Sequence, residues 1–284
     1  MDGDKRRTIG VLAPYLVGYF YGSLISAIQT SVGERGGRVI AMMTAPLGGD
    51  LARGPTPERL APVAWEHLDA VVCIANGAPS AYLQAVMDAG MPVVTLSHHH
   101  PGLACPAVLA DNRGGVASAV AHLVEHGHRR IAFAGCFEQF DVRERYAAYQ
   151  ESMRAHNIEP DPAWYFEAPD NLEPGGAHAA RSMLAAGLPC TAVVAGDDLN
   201  AVGIMSAVHA AGFRVPVDLA VVGFDDIPGI DMFSPSLSTV SPNLALMGDL
   251  AVELAFRRLN GEEGKEGKEG DNSVHVVDAT VVVR

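Results

Sequence analysis

The sequence lacks an excess of basic residues. Its 20 Lys and Arg are outnumbered by 33 Asp and Glu, for a formal net charge of −13. Affinity for nucleic acid comes largely from clustered cationic side chains. This negative charge therefore argues against binding of DNA or RNA by this chain alone, and it favours solubility. Small molecules and proteins are the expected partners.

Long apolar runs are also lacking. The opening residues, MDGDKRRTIGVLAP, are charged and contain no apolar stretch of signal-peptide length. No later run approaches the roughly 18 uninterrupted apolar residues of a membrane-spanning helix. We therefore expect a protein that is not exported, acts in the cytoplasm and has no membrane partner.

Cysteine is scarce, and its spacing has no metal-binding or redox pattern. The four cysteines, Cys73, Cys105, Cys136 and Cys190, include no C-x-x-C pair, which argues against zinc or disulfide exchange. Cys73 and Cys136 lie in apolar runs, where a reduced thiol behaves as a small hydrophobic side chain. The glycine pairs Gly114–Gly115 and Gly175–Gly176 do not match the sequence patterns of phosphate-binding loops either. We expect a reducing compartment and no cofactor.

What the chain does contain is a repeating alternation of β-type and helical patterns. Apolar, β-branched runs alternate with stretches of helical period, which is typical of parallel sheets covered on both faces. Glycines mark the predicted helix ends: Gly33, Gly36 and Gly37 end the first helix, and Gly90, Gly127 and Gly212 end later ones. The predicted strands are too many for one simple nucleotide-binding unit. We therefore predict an α/β protein with two doubly wound parallel-sheet lobes. The strand-like runs are 8–13, 38–43, 69–75, 92–96, 107–110, 130–134, 164–168, 192–195, 219–224, 274–277 and 280–283.

Two of these runs end on paired carboxylates. The run 192–195 leads to Asp197 and Asp198, and the run 219–224 leads to Asp225 and Asp226. Parallel strands deliver their carboxyl ends to one edge of the sheet, where open α/β sheets bind ligands. Aspartate at a strand end also caps the following helix. We predict Asp197 and Asp225 as ligand acceptors, and Asp198 and Asp226 as capping or bracing residues.

Several segments together resemble the effector-binding region of LacI/GalR-type bacterial transcriptional regulators, which have the type I periplasmic binding-protein fold. The segments are IGVLAP, GMPVVTLS, ADNRGG, HLVEHGHRRIAFAG, RERYAAY, AGDDLNAVG, VPVDLAVVGFDD and SPSLSTVSPN, in this order over residues 8–284. The resemblance implies a ligand cleft between the two lobes. It places the lobes at 8–127 with 243–271 and at 128–242 with 272–284, and we expect 261–270 to form a flexible surface loop.

The resemblance also assigns candidate ligand-binding residues. The pocket arginine falls on Arg145, and Asp141 stands four residues before it. Where many members have Asp-Arg after the fourth strand, this chain has Ser97 and His98, and where Asn-Asp is usual it has Asp197-Asp198. An ionised carboxylate only accepts hydrogen bonds, whereas an amide also donates them. The full predicted set is Tyr19, Phe20, His98, Asp111, Asp141, Arg145, Asp197 and Asp225.

These residue types suit a sugar or related polyol. Carboxylates accept hydrogen bonds from hydroxyl groups, and the planar guanidinium group of arginine donates hydrogen bonds to ring or hydroxyl oxygens. Excess acid also suits an amine-bearing ligand. The resemblance implies a homodimer, with 79–89 as a candidate interface helix. It also implies action on DNA through a helix-turn-helix headpiece that this sequence does not contain. The alternative is the sensor region of a signalling enzyme such as a diguanylate cyclase or kinase.

Metal-dependent and hydrolytic functions are disfavoured. The segment HLVEH, at 122–126, fits the H-x-x-E-H zinc pattern, but the family resemblance accounts for this helix end. In SHHH, at 97–100, successive side chains of an extended segment point to opposite sides. A glycosidase would need two carboxylates with distinct acid and base roles, and nothing distinguishes Asp197 from Asp225 in this way. We predict neither a metal ion nor catalysis.

Overall fold

The chain forms two compact α/β units. The computed structural model describes residues 6–44, 64–262 and 273–284. The first unit comprises the described residues within Met1–Ala110 and Asn243–Val277, and the second comprises Asp111–Pro242 and Asp278–Arg284. Both the fold class and the number of lobes predicted from the sequence are confirmed.

The first unit has a six-stranded, wholly parallel sheet in the order β11-β5-β4-β3-β1-β2. One face packs on α1 and α7 through residues such as Ile9, Leu24 and Val252, and the other packs on α2 through Leu83 and Val86. The elements are β1 (Thr8–Ala13), α1 (Tyr19–Glu34), β2 (Arg38–Met43), β3 (Ala70–Ile74), α2 (Ser80–Asp88), β4 (Val93–Leu96), β5 (Ala107–Ala110), α7 (Leu244–Leu259) and β11 (Val274–Val277).

The second unit has a six-stranded sheet in the order β12-β10-β9-β8-β6-β7, and only the β10–β12 pair is antiparallel. Helices α5 and α6 cover one face, and α3 and α4 cover the other. The elements are α3 (Asn112–Glu125), β6 (Ile131–Gly135), α4 (Phe140–Ala155), β7 (Tyr165–Glu167), α5 (Glu173–Ala185), β8 (Ala192–Ala195), α6 (Asp198–Ala210), β9 (Ala220–Phe224), β10 (Ser238–Ser241) and β12 (Thr280–Val282).

Two of the predicted lobe boundaries differ from the observed ones. The first crossing lies after Ala110 and not after residue 127, because α3 packs through Val116 and Val120 on α4 and on the second sheet. The last crossing follows Val277, since β11 pairs with β5 of the first sheet. The second crossing, before Asn243, agrees with the prediction. Residues 263–270 of the predicted surface loop lie outside the described residues.

Helix ends and cysteines follow the sequence pattern closely. Gly90, Gly127 and Gly212 have positive φ angles just after α2, α3 and α6, the backbone conformation that glycine adopts most readily. Gly33 is an exception, because it lies inside α1. All four cysteines are buried and free. Among the described residues, no helix is both long and apolar enough to cross a bilayer.

Candidate functional site

The candidate site in the second unit centres on Arg145, a residue of α4. Arg145 is only 4% exposed. Its Nε donates to Asn112 Oδ1 at 2.9 Å, and its Nη1 donates to the backbone oxygen of Gly196 at 2.7 Å. The guanidinium carbon lies 3.7 Å from the centroid of the Phe224 ring, a distance typical of cation–π contact. These contacts hold the guanidinium group in one orientation.

Two carboxylates share the positive charge of this guanidinium. Arg145 Nη2 lies 3.2 Å from Asp141 Oδ2, one helical turn earlier, and 3.5 Å from Asp225 Oδ1. Asp225 follows β9 with a φ of 111°, a region that non-glycine residues rarely adopt. Such local strain is often found at functional sites. The structure therefore brings Arg145, Asp141 and Asp225 together, as the family resemblance implies.

Asp197 and Asp198 make different contacts in the structure. Asp197 is the N-cap of α6, because its Oδ1 accepts a hydrogen bond from the backbone N–H of Asn200 at 2.7 Å. Asp198, predicted to cap or brace, is fully buried, and its two oxygens accept from Ile227 N at 2.9 Å and from Thr239 Oγ1 at 2.5 Å. Asp198 therefore braces the β9–β10 connection and strand β10, as its predicted bracing role implies, while Asp197 caps α6.

Asp197 keeps one oxygen for another partner. Its Oδ2 is buried and has no hydrogen-bond partner among the described residues. Because an unpartnered buried oxygen carries its full desolvation penalty, a donor brought by a ligand would be bound favourably there. Capping and ligand binding are thus compatible at Asp197.

Burial dominates the electrostatics of these acids. Desolvation raises the pKa of Asp197 and of Asp198 to about 7, against the opposing effect of their hydrogen bonds. Burial also raises the pKa of Asp225 well above its usual value, although the Arg145 charge lowers it. The proton occupancy of the site therefore changes near neutral pH.

The other four predicted residues belong to other elements of the structure. Tyr19, Phe20 and His98 belong to the first unit, with Tyr19 exposed at the start of α1 and the His98 ring 4.6 Å from that of His100. Asp111 is the N-cap of α3, since its Oδ1 accepts from Gly114 N at 2.8 Å. A ligand-binding role for all eight predicted residues stays a prediction.

Sequence reasoning missed two residues that hold Arg145 in place. Asn112 accepts from Arg145 Nε and also donates through its Nδ2 to Glu144 Oε2 at 2.7 Å. It directly follows Asp111 after β5, so the strand-end rule that selected the aspartates could have found it. Phe224 is the last residue of β9, and an apolar strand pattern does not distinguish it from ordinary core residues.

The remaining polar motifs have structural contacts. Asp226 Oδ1 pairs with Arg284 Nη2 at 2.6 Å, which agrees with a bracing role. The His122 and His126 rings lie 4.4 Å apart, and His126 Nδ1 is 2.8 Å from the backbone oxygen of His122. Within residues 6–44, 64–262 and 273–284, no group of three or more His, Cys, Asp and Glu side chains is arranged to hold a metal ion.

Known proteins resemble this chain over nearly its whole length. Residues 120–284 match the family described as periplasmic binding protein-like domain. The HTH-type transcriptional repressor PurR of Vibrio vulnificus (strain CMCP6) is 26% identical over 99% of this chain and 81% of that protein. The HTH-type transcriptional repressor CytR of Escherichia coli (strain K12) is 27% identical, over 91% and 74%. These two relatives are transcriptional regulators and not enzymes.

The fold is also similar to that of a solved regulator. A structure described as the transcriptional regulator CelR-cellobiose complex is 27% identical to this chain. The similarity covers 98% of this chain and 84% of that one, with a TM-score of 0.79.

Proposed function

Because this chain belongs to the periplasmic binding protein-like family and covers the effector-binding region of LacI-family transcriptional repressors, we propose that it binds a small effector at Arg145, Asp197 and Asp225. The observation that carries the proposal is the fixed guanidinium of Arg145 beside acidic groups. Such a cluster offers both donors and acceptors to one ligand. Tyr19, Phe20, His98, Asp111 and Asp141 are further proposed contacts.

A sugar or related polyol is the ligand class that this chemistry supports best. Hydroxyl groups donate to carboxylate oxygens such as Asp197 Oδ2, and ring or hydroxyl oxygens accept from guanidinium groups. The CelR relative is named as a complex with cellobiose, which supports a sugar for this chain. Effector binding would change the DNA affinity of a regulator that carries a DNA-binding headpiece, through the differential affinity of the effector for two states.

The proposal is tested by measuring ligand binding to variants of two arginines on α4. Arg145→Gln removes the positive charge and the paired N–H donors of the guanidinium group. Because hydrogen bonds to charged groups are strong, the affinity for a sugar found by thermal-shift screening should fall by roughly tenfold or more. Arg143→Ala is the matched control, because Arg143 is exposed and donates to the backbone oxygens of Phe137 and Glu138. Isothermal titration calorimetry gives the affinities.

Circular dichroism of both variants checks that the fold is retained. Unchanged affinity in a folded Arg145→Gln protein would show that Arg145 does not contribute to ligand binding. A screen in which no sugar or polyol binds would contradict the proposal that the ligand is a sugar or polyol.

We propose binding without catalysis, because the acids of the site serve as a cap, a brace and ion-pair partners of Arg145. Steady release of nitrophenol from aryl glycosides by the purified chain would contradict this.

We also propose a cytoplasmic homodimer, as expected for a regulator whose two copies act on paired DNA half-sites. Sedimentation equilibrium that fits a single 29.8 kDa species at micromolar concentration would contradict the dimer.

A further inference from the structure

Three buried acceptor atoms in the second unit lack a hydrogen-bond partner among the residues that the structure describes. They are Asp197 Oδ2, Asn171 Oδ1 and Asn200 Oδ1. Asp197 is only 5% exposed, and Asn171 lies in the connection between β7 and α5. Buried polar atoms are almost always hydrogen-bonded in folded proteins, so each exception calls for an explanation. With the Asp197 carboxyl ionised, each of the three atoms would be satisfied by a hydrogen-bond donor.

Asn200 also links the Asp197 and Asn171 positions. Its backbone N–H donates to Asp197 Oδ1 at 2.7 Å, and its Nδ2 donates to the backbone oxygens of Asp170 and Leu172, each at 2.9 Å. Those two oxygens belong to the residues on either side of Asn171. One buried side chain in the first turn of α6 therefore fastens the Asn171 turn to the helix start that Asp197 caps.

The charge at this helix start is also unbalanced. Arg145 contributes one positive charge, and its Nη2 already contacts Asp141 and Asp225. Asp197 is a third acid beside that guanidinium and has no cationic partner of its own among the described ion pairs. A ligand that brings a positive charge would favour the ionised form of Asp197, whose pKa burial raises, whereas a neutral hydroxyl group would supply a donor without a charge.

We propose that Asp197 and Asn171 form an acceptor subsite that binds an ammonium or amino group, so that the effector is an amine-bearing polyol such as an amino sugar. This inference rests on the proposed effector site. It narrows the ligand class by placing the amine at Asp197 and Asn171, and it leaves the hydroxyl-bearing part of the ligand to Arg145 and Asp225.

Matched sugar pairs test the proposal in the intact chain. D-glucose is compared with D-glucosamine, and D-galactose with D-galactosamine, by calorimetry at pH 7. The aminated member should bind about tenfold more tightly or better, because a charge-assisted hydrogen bond replaces a neutral one. N-acetylglucosamine separates the two contributions, since it keeps an N–H donor but has no charge, and it should bind more weakly than glucosamine.

Two variants test whether Asp197 and Asn171 cause the preference for the aminated sugar. Asp197→Asn keeps an oxygen to cap α6 but loses the negative charge, so it should abolish the preference for the amine while the protein stays folded. Asn171→Ala removes the second acceptor and should weaken the preference. Asp218→Asn is the control, because Asp218 lies in the same unit and pairs with exposed Arg214. It should leave the preference unchanged.

The outcomes also separate this inference from the proposed function. Equal or tighter binding of the neutral sugars, or a preference that survives in Asp197→Asn, overturns the amine subsite. If neutral sugars then still bind in an Arg145-dependent way, the proposed function stands alone. If neither member of any pair binds, both proposals fail.

Discussion

At the scale of single residues, the two Asp-Asp pairs divide into four different roles. Asp197 caps α6 and keeps one oxygen without a partner, whereas Asp198 is fully buried with both oxygens bonded. Asp225 contacts Arg145, and Asp226 contacts Arg284. Adjacent aspartates look alike in a sequence, but their neighbours come from distant parts of the chain. Sequence reasoning found the acids and could not assign which one caps.

The buried acids predict a pH dependence of stability. Burial raises the pKa of Asp198 to about 7 from a usual value of 3.8. Between these values the native state holds more protons than the unfolded state, so the contribution of Asp198 to the free energy of unfolding falls as the pH rises. Asp198→Asn cannot lose a proton, and its amide can still accept from Ile227 N while donating to Thr239 Oγ1.

We therefore expect the stability of Asp198→Asn relative to the wild type to increase from pH 5 to pH 8, measured by urea unfolding. The comparison with the wild type is needed because burial lowers the pKa of His100 to about 4, which makes stability rise with pH in both proteins. Asp218→Asn is the control, since Asp218 is partly exposed and its Arg214 partner lowers its pKa. A pH-independent difference for Asp198→Asn would contradict the assignment.

At the scale of elements, the strand and helix patterns predicted most positions and missed how α5 and α6 pack. Gly176 of α5 and Gly203 of α6 lie where the helices approach most closely. A Cβ atom at Gly176 would stand 2.0 Å from the backbone oxygen of Asn200, and one at Gly203 would stand 2.0 Å from that of Glu173. Backbone atoms cannot move aside as a flexible side chain can. This contact therefore requires glycine on both helices.

Gly203→Ala and Gly176→Ala should each lower the free energy of unfolding by about 1–3 kcal/mol, because the helices must separate. Gly33→Ala is the control, since a Cβ atom at Gly33 of α1 meets nothing within 4 Å. That change should instead raise stability by about 0.5–1 kcal/mol, the helix preference of alanine over glycine. Urea unfolding measures all three, and a stabilised Gly203→Ala protein would show that the helices are not so closely packed.

At the scale of the whole molecule, neither unit is built from one continuous segment. The chain passes from one unit to the other after Ala110, after Pro242 and after Val277. Helix α7 comes from the late segment, yet Met247, Val252 and Leu254 lie in the same buried cluster as Ile9 and Leu24. The first unit therefore depends on residues more than 200 positions away.

Fragments of the chain should differ in stability for this reason. The fragment 1–110 lacks α7 and β11, so one face of its sheet loses several buried side chains worth about 1.5–3 kcal/mol each. It should show no cooperative unfolding by circular dichroism. The fragment 111–242 lacks only the edge strand β12 and should keep a cooperative transition. Cooperative unfolding of 1–110 alone would contradict the role assigned to α7.

The sequence by itself determined the fold class, most strand positions, the helix ends at Gly90, Gly127 and Gly212, and the choice of Arg145 and its acids. These features depend on local periodicity, backbone preference and motif order, which neighbouring residues carry. Tertiary structure alone decided that α3 belongs to the second unit and β11 to the first, that Asp197 caps while Asp198 braces, and that Phe224 packs against Arg145. Those outcomes depend on contacts between segments far apart in the chain, and no local pattern encodes them.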